Sequence, residues 1–209
     1  MKNETTKVIL HLCADTGSDS KPYKDAGYQV IRVVKDMGVE NYGQGRIYEP
    51  PQEIYGIIAN PVCTEFSTAR STGKARNPEK GMEIVRECQR IITECNPSFW
   101  VIENPATGRL KDFLGEPVMT YESWHYGSPW TKRTALWGKF NIPPKIYSKW
   151  EDVPKIPQLY TRPGRGKPSL AFLHKSAIQY IEEFWRFAPD SDMEFRSLCS
   201  QKFAEAFYK

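Results

Sequence analysis

No stretch of this 209-residue chain approaches the roughly 20 consecutive apolar residues of a membrane span, and the start Met1-Lys2-Asn3-Glu4-Thr5-Thr6 lacks the apolar core of a signal peptide. A cytoplasmic protein is therefore expected. Cysteine is sparse and poorly spaced for cross-linking. There are five, an odd number, with no Cys-x-x-Cys pair, which argues against a disulfide framework and a zinc site and leaves reduced thiols. A strong excess of either charge is also missing. A formal net charge of +4 and a pI near 8.7 permit a polyanionic partner without demanding one. Internal repeats and low-complexity tracts are absent. The length, with 40% hydrophobic and 26% charged residues, is too short for two full domains and suits one globular domain with a sizeable core plus a small appendage.

What is present alternates between two periodicities. Val8 to Leu12 predicts a strand, followed by a Gly/Ser/Asp loop, a helix from about Asp19 to Ala26 and a second strand from Tyr28 to Val34, a βαβ opening. Ile54 to Ala59 is a further strand. Gly81, Ile84, Val85, Cys88, Ile91, Ile92 and Cys95 recur at helical spacing, which predicts an amphipathic helix over 78–95 with that stripe against the sheet. Phe99-Trp100-Val101-Ile102 is almost wholly apolar and stops at Glu103-Asn104-Pro105, the pattern of a strand buried on both faces. Strands alternating with helices imply an α/β fold built on a doubly wound, mostly parallel sheet. Thr120 to His125 and Thr134 to Trp137 are expected as an antiparallel edge. Residues 141–175 read as a small irregular insertion rich in Pro, Lys and Arg, set between a main domain of 1–140 and 176–209. Helices are expected over 176–187 and 191–208.

Chemistry concentrates where these strands end. Ile57-Ile58-Ala59-Asn60-Pro61-Val62-Cys63 delivers Cys63 into a loop at the carboxyl end of a strand, where ligands bind in open α/β sheets. A cysteine there is a candidate nucleophile if its thiol ionises; alone it reads better as a small buried hydrophobe, and the segments that follow reverse that preference. The first loop, Leu12-Cys13-Ala14-Asp15-Thr16-Gly17-Ser18-Asp19-Ser20, joins strand to helix, where backbone amides meet polar cofactors. After it come Asn60-Pro61-Val62-Cys63, then Glu103-Asn104-Pro105, then Tyr126-Gly127-Ser128-Pro129-Trp130-Thr131-Lys132-Arg133. Basic residues cluster in two further places: Arg70, Lys74, Arg76 and Lys80 after the cysteine, and Arg162, Arg165 and Lys167 in the insertion.

This order of blocks resembles the cytosine-5 DNA methyltransferase family, in its compact phage or bacterial form without a large recognition domain. The resemblance spans most of residues 8–140 and the closing run Arg196 to Ala204. It implies a Rossmann-like sheet of the S-adenosylmethionine-dependent type. Cys13, Ala14, Asp15, Thr16, Gly17 and Ser18, together with Asp36, Asn60, Pro61 and Ser200, fall at cofactor positions. Cys63 falls on the nucleophile, Glu103 and Asn104 on the Glu-Asn pair, and Lys132 on the first Arg of the basic block, with Arg133 beside it. Ser67, Arg70, Lys74, Arg76, Arg162, Arg165 and Lys167 are implied as contacts to DNA. The chain departs from the family pattern at His11, at Asp15 for the first loop glycine, at Gly38 for an aspartate, and at Val62 for the second proline.

The chemistry fits the residue types. A thiolate adding at C6 of cytosine turns the ring into an enamine nucleophilic at C5. A carboxylic acid at N3, kept protonated by burial, relieves the charge, which suits Glu103. Asn104 orients the loop, and Lys132 or Arg133 meets the base carbonyl or a flanking phosphate unless it is a solvated surface charge. The expected substrate is DNA with its base flipped out, or single-stranded DNA. No metal is expected, and a monomer is, in a bacterial cell or phage-infected host. Alternatives remain: methylation of RNA, of a nucleotide or of an exocyclic amine, or a non-catalytic nucleic-acid-binding protein of the same fold.

Overall fold

The apolar runs assemble, in the computed structural model of the chain, into one sheet with helices against it. The structure describes residues 6–33, 53–67, 76–162, 164 and 166–209; Asp36, Gly38, Arg70, Lys74 and Arg165 lie outside them. The strands are β1 (Val8–Leu12), β2 (Gln29–Val33), β3 (Ile54–Ala59), β4 (Phe99–Pro105), β5 (Met119–Glu122) and β6 (Arg133–Lys139). The helices are α1 (Lys21–Asp25), α2 (Pro78–Cys95), α3 (Lys111–Leu114), α4 (Asp192–Ser197) and α5 (Gln201–Tyr208).

The six strands lie in the order β2-β1-β3-β4-β6-β5. β1 is parallel to β2 and β3, and β3 to β4. β6 returns antiparallel beside β4, and β5 closes the edge antiparallel to β6. This mixed α/β, mostly parallel arrangement fits a Rossmann-like methyltransferase fold. β1 is buried along its whole length because a parallel neighbour pairs with it on either side. From β1 the chain moves outward to β2 and then crosses to β3 on the other side, so the loops after β1 and β3 diverge and leave a crevice at their carboxyl ends.

Strand alternation divides the core. Leu10, Leu12, Ile57, Ala59, Ile102 and Trp137 pack with Met82, Val85, Cys88 and Ile92 of α2 on one face. Ile9, Ile58, Val101, Leu136 and Tyr121 pack with Tyr23 of α1 and Phe203 and Ala204 of α5 on the other. The start of α2 is set by Asn77, whose side chain accepts the Lys80 N–H at 3.2 Å, with Pro78 next in the chain. Its end is set by Asn96 in the left-handed region (φ 44°). A third apolar cluster joins Trp130, Leu159, Leu170 and Leu173 to Ile181, Phe184, Phe195 and Leu198.

Two expected helices differ. Over 176–187 the chain forms short 3-10 turns, Lys175–Tyr180 and Glu182–Phe184, because Ile181 is extended (φ −114°, ψ 88°) as it turns into the third cluster. The helix expected over 191–208 breaks between α4 and α5. Leu198 and Ser200 are extended there (ψ 132° and 122°), and tertiary partners take their neighbours' backbone groups. Lys132 Nζ donates to the carbonyls of Ser197 (2.9 Å) and Leu198 (3.0 Å), and the Cys199 N–H donates to Ser18 Oγ (3.0 Å).

Candidate active site

Ala59 of β3 pairs with Ile102 of β4, so the peptide leaving β3 and the residues after Ile102 emerge side by side at the carboxyl end of the sheet. Cys63 opens a tight turn in which its carbonyl accepts the N–H groups of Phe66 and Ser67, both at 3.0 Å. Phe66 anchors that turn, fully buried in the α2 face of the core. Gly81 of α2 is what lets the ring in: a Cβ there would come within 2.7 Å of Phe66 Cζ and 3.0 Å of Glu65 Cβ. Glu65 is spent locally, accepting the Asn77 N–H at 2.7 Å. Asn104 ties the incoming side of the loop, its Nδ2 donating to the Pro61 carbonyl at 2.9 Å. Its Oδ1 is buried with no hydrogen-bond partner among the described residues.

Glu103 points to the face opposite Asn104, because successive side chains of a strand alternate. On that face stand Thr134 and Tyr121. Burial pushes the Glu103 carboxyl up to about 7; Lys132 pulls it down, Asp19 adds to the rise, and a Thr134 hydrogen bond opposes it. Burial likewise raises the Cys63 thiol above its ordinary value, and the negative charge of Glu103 raises it further, while Lys132 and Arg76 lower it. Cys63, Glu103 and Lys132 thus share one field: a thiol, an acid that titrates near neutrality, and a cation facing both. Arg76 also fixes the turn, donating to the Thr64 carbonyl.

The first loop lies across the sheet on the α1–α5 side of the crevice. Cys13 (φ 56°) and Gly17 (φ 73°) adopt left-handed backbone there. Gly17 packs on Arg32, where a Cβ would stand 2.8 Å from Nε, and the Arg32 guanidinium donates to the carbonyls of Ala14 and Asp15. His11 is buried and bridges the crevice, bonding Ser20 Oγ at 2.8 Å and Asn60 Oδ1 at 3.0 Å. Burial lowers its pKa against the opposing charge of Asp19, so the bridge is a neutral imidazole. Ser18 is tied to the carboxyl-terminal segment: its Oγ accepts the Cys199 N–H and its carbonyl accepts Gln201 Nε2 at 2.9 Å.

Of the residues singled out from sequence, the structure brings Cys63, Glu103, Asn104, Lys132, Arg76 and Ser67 to one end of β3 and β4, with Asn60 and Pro61 in the loop leading to Cys63. Lys132 is also engaged by the carbonyls of Ser197 and Leu198. Arg133 is not brought there: it is exposed on the other face of β6 and acts on Glu122, its cross-strand partner. Cys13 touches Cys88 of α2, Asp15 is exposed, and Ala14 is buried. Thr16 donates to Ser18 Oγ at 3.1 Å. Ser200 is buried, caps α5 by accepting the Phe203 N–H at 3.2 Å, and shares a 2.6 Å hydrogen bond with Ser128. Farther along the chain Arg162 stacks 3.9 Å from the Phe172 ring centre, and Lys167 Nζ stands 4.7 Å over Trp124 and 5.4 Å over Trp150.

Sequence reasoning passed over Asp19, Tyr121 and Cys199, whose charges or hydroxyls act on the same enclosed space. A signal existed for Asp19, two residues beyond the loop glycine. Nothing marked Cys199, because only the break between α4 and α5 turns it inward. Among the described residues no group of His, Cys, Asp and Glu is arranged to hold a metal, and no helix is long and apolar enough to cross a membrane.

A half-buried thiol and a carboxyl that titrates near neutrality thus lie together at the carboxyl end of a mostly parallel sheet. Among curated proteins the chain is similar to a probable DNA (cytosine-5)-methyltransferase of Frog virus 3 (isolate Goorha), with 30% identity over 124 residues. The match takes in 51% of this chain and 56% of that protein, so the chain spans little more than half the length of the curated relative it matches. No protein-family profile matches the chain.

Proposed function

We propose that the chain is an S-adenosylmethionine-dependent methyltransferase that methylates C5 of cytosine in DNA, with Cys63 as nucleophile and Glu103 as acid. The observation that carries this reading is the convergence of Cys63 and Glu103 at the ends of the parallel neighbours β3 and β4, under the shared charge of Lys132. The name of the viral relative points to the same reaction. The doubly wound description belongs to the same reading, supported by α2 on one face of the sheet and α1 and α5 on the other.

The cofactor fits the donor set on one count. Asp19 is a half-buried carboxylate at the crevice that no ammonium or guanidinium pairs with among the described residues, and the cationic groups of S-adenosylmethionine complement it. The loop from Cys13 to Ser20 and the Asn60-Pro61 segment would hold the cofactor, which when bound supplies an electrophilic methyl group. The protein's own residues do the rest. Cys63 enters as the thiolate, its proton having passed to solvent water, and its sulfur forms a bond to C6 as Glu103 in its protonated form donates to N3. Once C5 carries the methyl group its proton goes to solvent water, the electrons of the C5–H bond restore the C5–C6 double bond and expel the sulfur as thiolate, and N3 returns its proton to Glu103. Asn104 keeps Pro61, and with it the sulfur, in register. Lys132 stabilises whichever of the two acids is ionised. C6 of a cytosine meets this half-buried thiol only when the base is extruded from a duplex or presented in a single strand.

Duplex DNA containing 5-fluorocytosine tests the mechanism. Fluorine at C5 cannot leave as a proton does, so the wild type is expected to remain covalently attached in denaturing gels, and Cys63→Ser to form no adduct and no 5-methylcytosine. Normal methylation by Cys63→Ser would overturn the C5 mechanism and bring forward transfer to an exocyclic amine.

A further inference from the structure

Asp19 is the charged group of the crevice that the mechanism leaves unused. It sits at the carboxyl end of β1 in a loop that cannot swing freely. Ser18, immediately before it, is buried, accepts the Cys199 N–H at its hydroxyl and the Gln201 side-chain amide at its carbonyl, and donates its own hydroxyl to Asp19 Oδ2 at 3.2 Å. The carboxylate is therefore presented toward the α5 face, where its negative charge reaches Glu103, Tyr121, Cys199 and His11. All four are acids or a buried neutral ring. The lysines and arginines nearby are committed elsewhere: Lys132 to the carbonyls of Ser197 and Leu198, Arg32 to those of Ala14 and Asp15, Lys21 to Asp25. Asp19 is hydrogen-bonded by the Ser18 hydroxyl and the Cys199 thiol, and no ion pair joins it among the described residues, which leaves a half-buried carboxylate with acceptor capacity to spare. A positively charged ligand group takes up that capacity.

We propose that Asp19 binds the α-ammonium group of the methyl donor, and so orients the amino-acid end of the cofactor across the crevice from Glu103. The proposal rests on the S-adenosylmethionine reading above. The donor carries two cationic groups, and the chemistry of transfer selects between them. The sulfonium charge disappears as the methyl leaves, so a carboxylate held against it would stabilise the starting state and slow the reaction. The ammonium keeps its charge throughout, and a charge-assisted hydrogen bond to it costs nothing in the transition state. Asp19 is by this account a positioning residue.

Calorimetric titration of the full chain with three ligands tests it. S-adenosylmethionine carries both cationic groups, S-adenosylhomocysteine only the ammonium, and 5′-methylthioadenosine neither. Asp19→Asn is expected to weaken the first two alike, by about 10- to 100-fold, the range for a hydrogen bond to a charged group, and to leave the third unchanged. Asp19→Glu, which restores the charge, should recover part of the loss. A loss confined to S-adenosylmethionine would place Asp19 at the sulfonium, and a loss of all three would make it a scaffold of the loop; either overturns the proposal, as does unchanged binding. Failure of the wild type to bind any of the three would instead overturn the cofactor reading itself.

Discussion

As the proposed acid, Glu103 would serve catalysis at the expense of stability. A carboxyl whose folded pKa lies above its unfolded value contributes its full stability below the unfolded value, near 4.5, and loses it as pH rises through the folded value, about 7. Glu103→Gln is therefore expected to stabilise the protein above pH 8 by on the order of 1–3 kcal/mol and to make no difference below about pH 4.5. Urea unfolding across that range checks it, and an equal effect at every pH would deny Glu103 its raised pKa. The same substitution should slow methyl transfer by about 10²- to 10⁴-fold by removing the proton donor. The productive state holds one proton between Cys63 and Glu103, so the wild-type rate should rise with pH through about 7, and that limb should move toward the higher thiol value in Glu103→Gln. A wild-type rate independent of pH between 6 and 8 would remove Glu103 from the proton path.

At the scale of elements, the site depends on where α5 begins. Glu183 accepts the N–H of Gln201 at 2.7 Å and of Lys202 at 3.2 Å, and takes the Ser128 hydroxyl at 3.0 Å. A carboxylate at the first turn satisfies donors that no intrahelical carbonyl reaches and complements the helix dipole. With Lys132 on the carbonyls before the break and Ser18 on Cys199, it holds the carboxyl-terminal segment against the first loop. Glu183→Ala is expected to cost about 2–3 kcal/mol by stranding those donors, with faster hydrogen exchange at Gln201 and Lys202. Unaltered exchange there would mean that Ser200 alone caps the helix. The sequence of residues 191–208 carries helical spacing throughout and says nothing of this break. The groups that cause it, Lys132 and Ser18, lie far away in the chain.

Over the whole molecule, the basic side chains Arg162 and Lys167 lie on aromatic rings. Arg162 on Phe172 and Lys167 between Trp124 and Trp150 keep their charges at the surface while their stems cover apolar area. Replacing both by alanine is expected to weaken binding to unrelated DNA sequences by the same factor and to flatten the salt dependence by about 1–2 in the log–log slope, since each phosphate contact releases counterions. Fluorescence anisotropy from about 50 to 200 mM salt reads this. A loss restricted to one sequence would assign these residues to base reading instead.

Local pattern determined β1, β3 and α2 almost to the residue, because a buried strand must be continuously apolar and a sheet-covering helix must carry a stripe, whatever surrounds them. It also marked Cys63, Glu103 and Asn104, since Glu103 and Asn104 close the strand begun by an apolar run and Cys63 lies in the loop just beyond one, and the end of such a run is where polar chemistry begins. What only the tertiary structure decided are the partnerships across the chain. It turned Glu103 and Asn104 to opposite faces, set Arg133 apart from Lys132 by the same alternation, and gave Lys132 the carbonyls of a segment some 65 residues later. It broke the last helix so that Cys199 meets Ser18, 181 residues away, and left Asp19 without an ion-pair partner among the described residues. Such pairings depend on which backbone groups remain unsatisfied once the sheet has formed, and no window of sequence contains that information.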